Sequence, residues 1–92
     1  IVMNNKSWGA EKAYQKDFFG KRYLGADITS PSFDKVAELY GAKGFKVKKI
    51  SEISEAVRAA IKSNKPSVID VDVDPKALYS FRRDSFKHRV KK

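Results

Sequence analysis

No cysteine occurs among the 92 residues. Disulfide frameworks and thiolate metal sites are therefore excluded, and the chain is consistent with a reducing compartment, which we take to be the cytoplasm. No apolar run approaches the roughly 20 residues needed to cross a bilayer, so no membrane partner is expected. The start lacks the basic, apolar and small-residue succession of a signal peptide. Histidine occurs once, at His88. It reads as a solvated tail residue, because a catalytic imidazole needs a placed partner. Acidic residues are also scarce, 11 against 20 Lys and Arg, giving a net charge of +9. The excess is uneven: the 17 residues from Lys76 to Lys92 hold seven Lys or Arg and one acid, Asp84.

The apolar share, 41%, is that of an ordinary globular chain, so disorder is not indicated. The length allows at most one domain, small for an α/β one. Ile1 opens the chain inside an apolar run without an initiating Met, which we read as part of a longer polypeptide.

The rest of the chain is organised around Ile1-Val2-Met3-Asn4-Asn5-Lys6-Ser7-Trp8-Gly9. An apolar tripeptide running into two asparagines reads as the end of a buried strand followed by a polar loop. In open α/β sheets, ligands bind just beyond the carboxyl ends of strands. Asn side-chain oxygens suit a hard cation such as Mg²⁺. Gly9 and Ala10 open a helix, whose first N–H groups attract phosphate. Cation plus phosphate suggests a diphosphate held through a metal. An Asn pair is equally a turn, since Asn tolerates the left-handed conformation, and on these nine residues alone the turn is the stronger reading.

Periodicity predicts the remaining elements. A helix is expected from Gly9 to Phe19, with Gly20 at its C′ position. Its aromatic residues Phe18 and Phe19 read as a stripe packing on the sheet or on a subunit, whereas Trp8 adjoins the candidate loop. Residues 21–29 read as a loop or flap. Ser30 as N-cap and Pro31 at the first position predict a helix carrying Phe33, Val36, Ala37 and Tyr40 on one face and ending at Gly41. Residues 45–48 read as a short strand. Ser51 caps a helix with Ile53, Ala56, Val57, Ala60 and Ile61 in period, ended by Asn64 and Pro66. Residues 67–73 form the second strong strand. Its alternating Asp70 and Asp72 read as projecting from the more polar face rather than as a metal cluster, and Asp74 as capping a short helix or turn at the strand's end. Strands alternating with helices argue for α/β: a three-layer α/β/α arrangement on a parallel sheet. Three strands are few for such a sheet, which again suggests a part of something larger.

Several of these segments, in this order, resemble one family. Val2-Met3-Asn4-Asn5, the stretch Ser32-Phe33-Asp34-Lys35-Val36-Ala37-Glu38-Leu39-Tyr40-Gly41-Ala42-Lys43-Gly44 and the later Pro66-Ser67-Val68-Ile69-Asp70-Val71 are similar to the C-terminal part of the thiamine-diphosphate-binding domain of the acetohydroxyacid synthase and pyruvate decarboxylase superfamily. Residues 1–75 would be that part of the domain and 76–92 a basic tail. Within the superfamily, Trp8 to Lys12 and Phe81-Arg82-Arg83-Asp84 look most like the sulfoacetaldehyde acetyltransferase branch, and acetolactate synthase is the alternative.

The resemblance implies thiamine diphosphate and Mg²⁺ as cofactors. It implies that Asn5 gives its side-chain oxygen and Ser7 its backbone carbonyl to Mg²⁺. Gly9 and Ala10 would lie near a phosphate, and Trp8 near the cofactor's thiazolium or the substrate. Lys12, Arg82 and Arg83 are candidate contacts to an anionic substrate, where guanidinium forks suit sulfonate and phosphate; for Arg82 and Arg83 an ordinary basic tail is the competing reading. No residue is expected to be catalytic by proton transfer. The Gly-Asp-Gly aspartate that gives the family its other metal ligand is absent, so this stretch alone is expected to be inactive. Its partners would be the remainder of the chain and a second subunit, in a homodimer or homotetramer. The rival reading is a basic nucleic-acid-binding module, suited by the tail and by Tyr79, Phe81 and Phe86. The spread of the other basic residues over helix exteriors speaks against it.

Overall fold

The computed structural model describes residues 1–80. They divide into two units, one formed by residues 1–5 and 29–73, the other by residues 6–28 and the segment from 74 onward.

The first unit is built on three parallel strands, β1 (Val2–Asn4), β2 (Lys43–Val47) and β3 (Ser67–Asp72), in the order β1-β3-β2. The central position of β3 follows from its composition. Val68, Ile69 and Val71 make it β-branched and apolar enough to be covered on both faces. The register pairs Asn4 with Asp72 and Val2 with Asp70 on one side, and Lys46 with Asp70 and Gly44 with Val68 on the other.

Alternation along β3 then sends the two sets of side chains to two helices. Ile69 and Val71 join Val47 in a buried cluster, against which Phe45 and Val73 and the face Ile53, Ala56, Val57 and Ala60 of one helix are packed. That helix is α3 (Ile53–Ser63). The opposite sheet face carries Gly44, Lys46, Asp70 and Asp72 and receives α2 (Phe33–Leu39), whose Asp34 backbone presses on Gly44. Within this unit the arrangement is the expected α/β/α sandwich. Replacing Ile69, 5% exposed, by Ala leaves a cavity in the α3-side cluster. The expected cost is about 2–5 kcal/mol in urea unfolding; a loss under about 1 kcal/mol would mean the cluster does not hold the unit together.

Several boundaries differ from the sequence reading. Helix α2 starts at Phe33 with Ser32 as N-cap, not at Pro31 after Ser30, because the Phe33 N–H is satisfied from across the sheet by Asp70. Tyr40 is not on its buried face. It is the C-cap and 86% exposed, while the acidic Asp34 is buried with Ala37. Gly41 does end the helix: at φ +77° its N–H bonds to the Glu38 carbonyl and the Ala42 N–H reaches back to Ala37, a Schellman termination. Ser51 does not cap α3. A 3₁₀ turn, Ile50–Glu52, precedes that helix, and the Glu52 carboxylate accepts the Lys49 N–H at 2.9 Å. Asn64 closes α3 in the left-handed conformation, as its sequence suggests. Ile61 stands on the exposed side of α3 despite fitting its period. Strand β2 begins two residues before the alternating stretch, because β3 pairs with Lys43 and Gly44 as well.

In the second unit, α1 (Gly9–Phe18) is a ten-residue helix with Ala13 buried. Gly20 follows with φ +62°, as expected of a C′ residue. Phe18 and Phe19 stay largely exposed, and Tyr14 meets Phe18 with ring centroids 6.2 Å apart. Residues 21–28 are tied down by an isolated antiparallel bridge, Ser7 to Asp27, and by the Gln15 side chain, which accepts the Leu24 N–H and donates to the Leu24 carbonyl. After Asp74 the chain turns, with the Lys76 N–H bonded to the Asp74 carboxylate at 2.8 Å.

Candidate cofactor-anchoring site

The Asn-Asn pair is split by the fold. Asn4 is the last residue of β1, and its carbonyl accepts the Val73 N–H at 3.1 Å. Only Asn5 lies past the carboxyl end of the strand, half-buried, where open parallel sheets present their ligand-binding loops. Lys6 then turns the chain with φ +56°.

Ser7 belongs to the second unit, where it faces Asp27. The flanking bonds, Trp8 N–H to the Ala26 carbonyl at 2.6 Å and Ile28 N–H to the Lys6 carbonyl at 3.0 Å, leave Ser7 and Asp27 as a pair that does not bond backbone to backbone. In such a pair the backbone N–H and C=O groups point away from the partner strand. The Ser7 carbonyl is thereby turned away from Asp27. The Ser7 hydroxyl lies 3.4 Å from the Asp27 carboxylate. Trp8 occupies the N-cap of α1 and gives it no side-chain hydrogen bond. Gly9 and Ala10 thus form the first turn of a helix whose N-terminus is not capped by a side chain, the arrangement that suits a phosphate.

Lys12 is engaged. Its ammonium lies 2.5 Å from Asp27 Oδ1 and 5.0 Å from the centre of the Tyr23 ring. The hydrogen bond from Lys12 holds the exposed Asp27 carboxyl below its ordinary pKa, and the Ser7 hydroxyl adds to that effect. Nothing in the spacing of the sequence singles out Asp27, which falls in an aperiodic loop. Arg82, Arg83 and His88 lie outside the described residues.

The residue most undervalued by the sequence is Asp70. It projects from the more polar face of β3, as its alternation with the valines implies, but that face is covered by α2. It is fully buried, and its Oδ2 accepts the Phe33 N–H at 2.9 Å and lies 3.2 Å from the Lys46 ammonium, with Asn4 Nδ2 and Ser32 Oγ each at 3.4 Å. Lys46 also bonds Asp72 at 2.7 Å. The aspartates of β3 therefore hold a lysine and a helix start. Among the described residues no group of three His, Cys, Asp or Glu is placed to hold a metal.

Burial pushes the Asp70 carboxyl up, but the Phe33 N–H, Asn4 and Lys46 outweigh it and hold the pKa below the ordinary value. A depressed carboxyl stabilises the fold fully above its unfolded pKa, near 3.9, and ceases to do so as pH falls through the folded value. Unfolding measured against pH should show a loss of stability below about pH 4 that is shallower in Asp70→Asn. Equal slopes would show that Asp70 does not titrate with unfolding.

These features meet a known domain. Residues 1–71 match the model of the thiamine pyrophosphate enzyme C-terminal TPP-binding domain. The chain belongs to this family. Among relatives, sulfoacetaldehyde acetyltransferase from Alcaligenes xylosoxydans xylosoxydans is 34% identical over 99% of the chain, and that from Castellaniella defragrans 33% over 99%. A probable acetolactate synthase large subunit from Methanococcus aeolicus is 32% identical over 86%. The chain spans only 16% of the length of the two acetyltransferases and 13% of the synthase subunit. In family terms, the β1 end and the start of α1 belong to a TPP-binding domain, and no described helix is long and apolar enough to cross a membrane.

Proposed function

We propose that this chain is the cofactor-anchoring portion of a thiamine-diphosphate-dependent enzyme. In it the Asn5 side-chain oxygen and the Ser7 carbonyl bind Mg²⁺, and the first turn of α1 at Gly9 and Ala10 receives the diphosphate. The observation that carries the reading is the family match over residues 1–71, with Asn5 placed just past the carboxyl end of β1. The donor chemistry fits: amide and carbonyl oxygens are the ligands a small hard cation takes, and the α1 start carries no capping side chain that would compete for its N–H groups. When bound, the cofactor supplies the carbanion-stabilising chemistry at a substrate carbonyl carbon. The chain's own share is positioning and charge compensation, with no proton transfer assigned to it. Trp8, 58% exposed, lies beside this loop in sequence and would lie near the thiazolium or the substrate.

The reaction we favour is acetyl transfer to phosphate from sulfoacetaldehyde with release of sulfite; the two relatives named sulfoacetaldehyde acetyltransferase support it. Condensation of 2-oxo acids, as in acetolactate synthase, is the alternative. Arg82 and Arg83 are the proposed anion contacts; Lys12, held by Asp27, is the weaker candidate. In this chain residues 1–75 are the domain part and 76–92 a basic tail; the remainder of the polypeptide and a second subunit, in a homodimer or homotetramer, complete the enzyme. The exposure of Ile1, Met3, Leu39, Tyr40 and Ile50 in the first unit supports such docking.

The test uses the natural protein that carries this chain. Titration calorimetry should show thiamine diphosphate binding that requires Mg²⁺. Sulfoacetaldehyde and phosphate should then yield acetyl phosphate and sulfite. Acetolactate from pyruvate instead would select the alternative. Absence of Mg²⁺-dependent cofactor binding would overturn the reading altogether.

A further inference from the structure

We infer that Asp70 is a positioning residue for the metal loop, acting on Asn5 through Asn4. This rests on the Mg²⁺ role proposed for Asn5. Asp70 sits on the central strand, and its Oδ2 gathers the ends of three elements: the N-terminus of α2 through the Phe33 N–H, β2 through Lys46, and the last residue of β1 through Asn4 Nδ2. The Asn4 contact, 3.4 Å, is at the long end of a hydrogen bond, but it does not act alone. The Val73 N–H bonds the Asn4 carbonyl, and Asn4 pairs with Asp72 in the parallel register. Asn4 is thus held at both its side chain and its backbone, and the next residue is Asn5.

A second observation separates Asp70 from ordinary packing. Its other oxygen, Oδ1, is buried with no hydrogen-bond partner among the described residues. A buried carboxylate with an unmatched oxygen is a costly way to fill space, and an apolar residue of similar volume would avoid that cost. What the carboxylate does that an apolar residue would not is accept, on one atom, donors from the helix start and the β1 end together. The site of Asn5 is then fixed by groups on the sheet's α2 side rather than by the loop itself. Partners that orient metal ligands from behind commonly change metal affinity by about 10–100-fold when removed.

The test measures the Mg²⁺ dissociation constant at saturating thiamine diphosphate, and the thermal midpoint of the cofactor-free natural protein, in Asp70→Asn, Asn4→Ala, their double variant and Lys46→Met. Asp70→Asn and Asn4→Ala should each weaken Mg²⁺ about tenfold. The double variant should lose little more than either alone, because the two residues act along one path. Lys46→Met, which leaves the Asn4 contact in place, should lower the midpoint while keeping Mg²⁺ affinity within about twofold of wild type. A Mg²⁺ affinity unchanged in Asn4→Ala, or additive losses in the double variant, would overturn the inference. So would an Asp70→Asn protein that melts earlier yet binds Mg²⁺ normally. If Asp70→Asn does not fold, Asn4→Ala decides alone, a tenfold loss supporting the link and an unchanged constant removing it. A wild-type protein without Mg²⁺-dependent cofactor binding would instead remove the proposed function, and this inference with it.

Discussion

Asn5→Ala in the natural protein is expected to weaken Mg²⁺ binding by a factor on the order of 100 or more, with cofactor binding and turnover falling in parallel. Groups behind a metal ligand are worth about 10–100-fold, and loss of a direct oxygen donor should reach or exceed that. Asn5 lies beyond the last ladder position of β1 and is only half-buried, so its truncation removes no strand pairing. Asn5→Asp keeps an oxygen donor and should retain more affinity than Asn5→Ala. Calorimetric titration of Mg²⁺ at saturating thiamine diphosphate measures both. An Asn5→Ala protein with the wild-type constant would return the Asn pair to its other reading, a turn.

The second large effect is structural. Gly44→Ala should destabilise the first unit by about 3 kcal/mol or more, at or above the upper end of what overpacking a core costs. A Cβ on Gly44 would stand 2.1 Å from the Asp34 carbonyl oxygen and 2.9 Å from its Cα, backbone atoms that cannot swing aside. To make room, α2 would have to lift off the sheet. Its start is bonded to Asp70 and its end is locked by the Gly41 and Ala42 hydrogen bonds, so lifting it breaks contacts at both ends. The glycine is required for space, since its backbone conformation is one that any residue adopts. Thermal unfolding checks this: a midpoint within about 2 °C of wild type would mean that α2 shifts at little cost.

These two predictions also mark how far the residues could be read without a fold. The strand end at Asn5 was legible, because an apolar run breaking into asparagines places a polar residue there, and the neighbouring segments resemble those of one family. Gly44 was visible only as the close of a motif. Its steric role needs the approach of α2 to β2, a contact between segments that periodicity treats separately. Asp70 was read only in part for the same reason. Alternation in Asp70-Val71-Asp72 correctly put the aspartates opposite the valines, but whether that face meets water or a helix is decided by what crosses it. The caps fail alike: Ser30 and Ser51 are acceptable N-caps by local rules, yet α2 begins where Asp70 supplies an acceptor, and a 3₁₀ turn delays α3.

The α/β class, the existence and order of the elements, the helix ends at Gly20, Gly41 and Asn64, and the family are all readable from the residues alone. Each of these rests on local chemistry: hydrophobic period, residues that accept positive φ, and short motifs. The strand order β1-β3-β2, the separation of Asn4 from Asn5, the pairing of Lys12 with Asp27 and the burial of Asp70 emerge once the chain is folded. Those depend on which surfaces meet across many residues of chain, and a side chain's partners there are set by packing and register rather than by its neighbours in sequence.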